Sequence, residues 1–182
     1  MNAKYSFRIQ SDNPKSKLPS KMVIGQKNTE TPTHILLKFL SYLLFFRDRI
    51  QLETRLPHDH MPFTPDIAQL DYELHPTLWV ECGECTVKKL DKLAVKVPEA
   101  EIWIVRRSRA VAEELIYGMK KGGLRKDRYK IIALDEPMLE EMEGLLSSRN
   151  DCLWVKGSFD PPELQFDFNG LWFDAPFDLF DF

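Results

Sequence analysis

Three features of the sequence predict a mixed α/β fold: short runs that alternate apolar and polar residues, one long apolar run too uniform for a strand, and strand and helix patterns that take turns from Thr77 onward. A strand–helix–strand–helix–strand order implies parallel pairing in that half, because the crossovers are helical. The expectation is a single domain spanning residues 1–182, with a mixed central β-sheet flanked by helices and an acidic, aromatic tail at 176–182.

Tyr5 to Ile9 and Lys21 to Gly25 alternate, and the turn-rich stretch from Ser11 to Ser20 between them predicts an opening antiparallel hairpin. Thr31 and Pro32 supply a cap and a first helical residue, and the apolar run Ile35 to Phe46 predicts a central helix buried on most sides. Ile50 to Thr54 reads as a short strand. After the polar loop Pro57 to Thr64, Asp66 to Leu70 and Thr77 to Cys82 predict a second hairpin.

Thr86 caps a helix over Val87 to Val97, Glu101 to Arg106 is a strand, and Arg109 to Lys120 is a helix stopped by Gly122 and Gly123. Tyr129 to Leu134 reads as a strand and Pro137 to Leu146 as a helix. Leu153 to Val155, Leu164 to Phe168 and Leu171 to Phe173 are closing strands. The tail from Phe177 to Phe182 is expected to pack on its own domain, with docking into a protein partner's groove as the alternative.

With 43% hydrophobic residues the chain can bury a sizeable core. No run approaches the roughly 20 apolar residues of a spanning helix, and Met1 to Gln10 lacks an apolar signal core, so a cytoplasmic protein without a membrane partner is expected. Cys82, Cys85 and Cys152 are too few for a disulfide scaffold. A net charge of −3 argues against a globally basic coat for nucleic acid, so such binding would use a local patch. The cations gather mid-chain, and Arg106 and Arg109 are the ones placed to hold a phosphate backbone if they lie beside an acidic pocket.

The carboxylates carry the chemistry. A hairpin turn centred on Glu73 and Leu74 sets Asp66 opposite Glu81, and Pro76 is where that register can shift. Directly opposed residues have Cβ atoms roughly 4.5–5.5 Å apart, and two carboxylates that close repel unless a cation joins them. A hard ion with oxygen ligands, Mg²⁺ or Mn²⁺, is the expected cofactor. Alternation puts Trp79, Glu81 and Gly83 on one face and Leu78, Val80 and Cys82 on the other, so the two acids are expected to share the Trp79 face. The alternative is two solvated strand-end acids, each paired with a lysine.

The run from Glu30 and Thr31 through Phe46, then Arg49-Ile50-Gln51-Leu52, then Leu78-Trp79-Val80-Glu81-Cys82-Gly83 followed by a lysine-bearing helix, resembles the YaeQ family. That family in turn resembles PD-(D/E)XK nucleases, so the resemblance implies a restriction-endonuclease-like core. It also implies a metal site in which Asp66 is the motif aspartate, Glu81 the second acid and Glu30 the third carboxylate. Gly83 stands where the motif lysine belongs. Lys88, Lys92 and Lys96 form one helical stripe, and Lys92 is the expected substitute, with a solvated basic face as the alternative.

Two lesser motifs stand apart. The pair Cys82 and Cys85 is a C-x-x-C without a second pair, and Cys82 is expected to point into the core. His58-Asp59-His60 is a loop motif that could take a transition metal but reads better as solvated. Glu84 can join the acidic pocket as an outer ligand or face solvent. The functional expectation is a Mg²⁺-dependent hydrolase of nucleic-acid phosphodiesters with Glu30, Asp66, Glu81 and Lys92 at its centre. The alternative is a catalytically inactive binding or regulatory module on the same fold.

Overall fold

The apolar run after Thr31 becomes helix α1 (Pro32–Leu44), with the Thr31 hydroxyl accepting from the His34 amide and proline in the first turn. Ile35, Leu36, Leu37, Phe39, Leu40 and Leu43 are all buried. Each such side chain contributes roughly 1.5–3 kcal/mol on leaving water, and a helix apolar on so many sides needs cover on both flanks. The computed structural model describes residues 2–58 and 60–182 and shows where that cover comes from.

Two sheets enclose α1. The first is built from β1 (Lys4–Ser11), β2 (Lys21–Gly25), β8 (Arg149–Phe159), β9 (Pro162–Phe168) and β10 (Leu171–Pro176), in the order β10-β9-β8-β1-β2. The second comprises β3 (Ile50–Leu52), β4 (Ile67–Leu70), β5 (Pro76–Cys82), β6 (Glu101–Arg106), β7 (Tyr129–Ala133) and β11 (Asp178–Asp181), in the order β11-β7-β6-β5-β4-β3. Both are mixed: β8 joins β1 in parallel, and β5, β6 and β7 run parallel to one another. The expectation of one central sheet is thereby corrected. The opening hairpin and the closing strands form a sheet of their own, which covers the side of α1 that the second sheet leaves bare.

Between the sheets, α1 packs with α4 (Glu136–Leu145) in one core that includes Phe7, Phe39, Phe168, Val80 and Trp103. Helices α2 (Val87–Lys96) and α3 (Arg109–Lys121) cover the other face of the second sheet, over Trp79, Ile102, Ile104 and Ile131. The fold is a single α/β domain. Among the described residues no helix is long and apolar enough to cross a membrane.

The tail packs on its own domain, and does so as a strand: β11 pairs antiparallel with the β7 edge, and Phe177 and Phe182 are buried. The β4–β5 ladder has the register that sets Asp66 against Glu81, pairing Ile67 with Val80, Ala68 with Trp79 and Gln69 with Leu78. The shift comes beyond Gln69, where Leu70 meets Pro76.

Candidate functional site

Strand β5 delivers its side chains to two different helices. Leu78, Val80 and Cys82 face the α1 core, where the Cys82 thiol lies 3.5 Å from the Ser41 hydroxyl, while Trp79 faces the α2–α3 side. Glu81 shares the Trp79 side. Its Oε1 accepts from the Trp79 indole at 2.8 Å and its Oε2 from the Lys89 ammonium at 3.0 Å. Asp66, just before β4, turns the other way. Its Oδ2 accepts from the Cys82 amide at 2.7 Å, and its Oδ1 lies 3.7 Å from Lys38 Nζ.

Lys38 is the centre of the arrangement. It projects from the middle of α1, is fully buried, and donates to both Glu30 and Glu53 while facing Asp66. An unpaired ammonium in such a place would lose several kcal/mol of hydration, so the three carboxylates are what allow it there. They also exceed its charge by two, part of which the exposed Lys27, 3.5 Å from Glu53, screens. Burial acts to lower the Lys38 pKa, but its hydrogen bonds to Glu30 and Glu53 and the Asp66 charge outweigh it and raise the value.

The carboxylates differ. Burial pushes Asp66 up, against the Cys82 amide and the Lys38 charge. Burial also pushes Glu81 up; Lys89 opposes this and the Asp66 charge adds to it. Glu30 sits below its ordinary value even though burial acts to raise it, because it accepts from the Lys27 amide and from Lys38.

Glu53 is held by its backbone. Its φ of 52° lies in the left-handed region, and its N–H donates to the Asp66 carbonyl at 2.8 Å. For a residue with a side chain that conformation costs roughly 1–2 kcal/mol. The strained turn aims the Glu53 carboxylate at Lys38.

Glu30, His34 and Asp66 each present one ligand atom, all within 4.8 Å of one another, an arrangement able to hold a metal ion. Of the residues expected from sequence, Glu30 and Asp66 come together. Glu81 stays next to them but is engaged by Trp79 and Lys89. Lys92 is exposed, whereas Lys89, three residues earlier on α2, carries the contact with Glu81.

Four residues escaped the sequence reading: His34, Lys38, Glu53 and Lys89. A signal existed for two of them, since Glu30, His34 and Lys38 recur every four residues along one side of α1 and its approach. No pattern marks Glu53.

Gly83 follows β5 with φ +81°, and a Cβ built there would lie 2.9 Å from His34 Nε2. The position expected to carry the motif lysine therefore has neither the backbone conformation nor the space for a side chain. Among the lesser candidates, His58 stacks on His75 with ring centroids 5.1 Å apart, and Asp59 lies outside the described residues. Glu84 is exposed. Arg109 is exposed and pairs with Glu113 and Asp178.

The fold and site together define an α/β domain of two mixed sheets with a half-buried acidic cluster around a buried lysine at the mouth of its central helix. The profile of the YaeQ protein family matches residues 9–154, well over half of the chain, and the chain belongs to that family. Its fold is that of the crystal structure of the YaeQ protein from Xanthomonas axonopodis pv. citri, with TM-score 0.70 and 17% identity over 99% of this chain and 97% of the other. It is likewise similar to the YaeQ protein from Pseudomonas syringae, with TM-score 0.74 and 12% identity over 100% of this chain and 97% of that one. Comparison with curated proteins returns no significant match.

Proposed function

We propose that this protein is a divalent-cation-dependent phosphodiesterase acting on nucleic acid, on a PD-(D/E)XK-like core formed by the β4–β5 hairpin, the parallel strands β6 and β7, and α1. The observation that carries this reading is the excess of carboxylate around Lys38: Glu30, Glu53 and Asp66 share one ammonium. Glu30, His34 and Asp66 would hold the ion. Two carboxylates suit a hard cation, and the imidazole inclines the set toward a transition ion such as Mn²⁺.

When bound, the ion supplies positive charge against a phosphoryl oxygen and lowers the pKa of water. The protein's own groups divide the remaining work. Lys38, fully buried, does not reach a substrate and positions Glu30, Glu53 and Asp66. Lys89 is partly exposed and already bound to Glu81, so it takes the charge-stabilising role that Gly83 leaves vacant. Trp79 fixes the Glu81 carboxylate from the other side.

A second reading, a binding or regulatory module without hydrolysis, is favoured by the same Lys38, whose ammonium offsets part of the acidic charge without any metal. Cleavage assays separate the two. Single- and double-stranded DNA and RNA are incubated with Mg²⁺ or Mn²⁺ and wild type, Asp66→Asn or Lys89→Met. Metal-dependent cleavage by wild type that both variants lose is the expected result; folded wild type inactive on all four substrates would leave the module.

A further inference from the structure

We infer that the cleft beside the acidic cluster is an oxyanion subsite, built around Arg106, for a phosphate of the strand next to the one the cluster would attack. Its assignment to a strand rests on the proposed phosphodiesterase reading; the anion site itself does not. The cleft has a volume of about 820 Å³ and is lined in part by His34, which also presents a ligand atom beside Glu30 and Asp66. It opens where the parallel strands β5 and β6 end, the place at which open α/β sheets commonly bind ligands.

Arg106, the last residue of β6, lines this cleft and is only 8% exposed. Its partner is a carbonyl, that of Gly83, to which Nη1 donates. Its Nε is buried and has no hydrogen-bond partner, and no carboxylate lies within ion-pair distance of the guanidinium among the described residues. Arginine is almost never this buried unless paired, because an uncompensated buried charge costs several kcal/mol. A bound oxyanion in the cleft supplies the missing countercharge, and a guanidinium is suited to hold a phosphate through parallel hydrogen bonds.

A second feature points the same way. Thr31, Thr33 and His34, from the N-terminal turn of α1, line the same cleft, and that turn holds no acidic residue to satisfy the helix dipole. Glu84 and Glu114 also line the cleft, but both are exposed, where water screens them. Arg107, at the rim, is exposed and paired with Glu136, so Arg106 is the cation the site depends on.

Titration of wild type with inorganic phosphate at fixed ionic strength, followed by NMR of Arg106 Nε–H and the Thr33, His34 and Gly83 amides, tests this. Saturable shifts at these groups are expected. Arg106→Lys, which keeps the charge but loses the fork, should weaken binding by roughly tenfold to a hundredfold. Asp66→Asn should lose cleavage but keep phosphate binding, whereas a folded wild type that binds phosphate saturably yet cleaves none of the four nucleic acids would sink the phosphodiesterase and spare the subsite. A 5′-phosphorylated dinucleotide should bind about tenfold tighter than phosphate; equal binding would overturn the strand assignment. Shifts confined to exposed lysines, or unchanged affinity in folded Arg106→Lys, would overturn the subsite.

Discussion

The His34 imidazole lies so close over Gly83 that a Cβ at residue 83 would come within 2.9 Å of Nε2. A glycine at position 83 leaves the space that residue 34 fills, and the lysine of the resembled motif has no room there. Gly83→Ala should destabilise the fold by about 2–3 kcal/mol, from the left-handed φ and the clash together. Adding His34→Ala should recover the clash part but not the backbone part. A double-mutant cycle by chemical denaturation reads the coupling; strictly additive losses would show that the two residues are independent.

Lys38 is the counter-ion on which three carboxylates depend. Lys38→Met should cost roughly 3–5 kcal/mol by leaving buried negative charge unpaired. It should also make stability strongly dependent on divalent cations, since an ion then takes over the whole compensation. Thermal melts with and without Mn²⁺ measure both effects.

The raised Asp66 pKa fixes a sign. The folded protein holds the Asp66 proton more tightly than the unfolded chain does, so this group's contribution to stability falls as pH rises from the ordinary carboxylate range through the raised value. Asp66→Asn removes that loss, so its stability relative to metal-free wild type should climb with pH across this weakly acidic window and level off above it. Glu30, with its lowered value, acts oppositely: its contribution is present above the ordinary carboxylate range and is lost as pH falls through the lowered value. Denaturation of Asp66→Asn and of Glu30→Gln over pH separates the two slopes.

Lys89 and Lys92 are three residues apart and should behave very differently. Lys89→Met leaves Glu81, which is 4% exposed, with the Trp79 indole alone, and should cost about 1–3 kcal/mol. Lys92→Met, on the exposed face, should stay within roughly 0.5 kcal/mol of wild type. Equal effects in urea denaturation would count against the assignment of Lys89.

Much of the fold was legible because local signals were strong. Thr31-Pro32 and Thr86 mark helix starts at the residues where α1 and α2 begin, and the turn between Asp66 and Glu81 sets the observed register. The second sheet was not legible, since the parallel pairing of β1 with β8 joins residues such as Phe7 and Asn150, and no local pattern encodes so distant a partner. The apolar surround of α1 was the clue that one sheet could not suffice. At the site, Glu30 and Asp66 could be read from their motifs. Lys38 reads as one polar residue in an apolar helix, and Glu53 enters through a left-handed turn that a glutamate rarely adopts.

The account stands most directly on whether the acidic cluster takes an ion. Calorimetric titration of Mn²⁺ and Mg²⁺ into wild type and into Glu30→Gln/Asp66→Asn measures this at pH 7. We predict saturable binding of a divalent ion by the wild type, tighter for Mn²⁺, and its loss in the folded double variant. No binding by folded wild type, or the same binding in both proteins, would contradict a metal site at Glu30, His34 and Asp66.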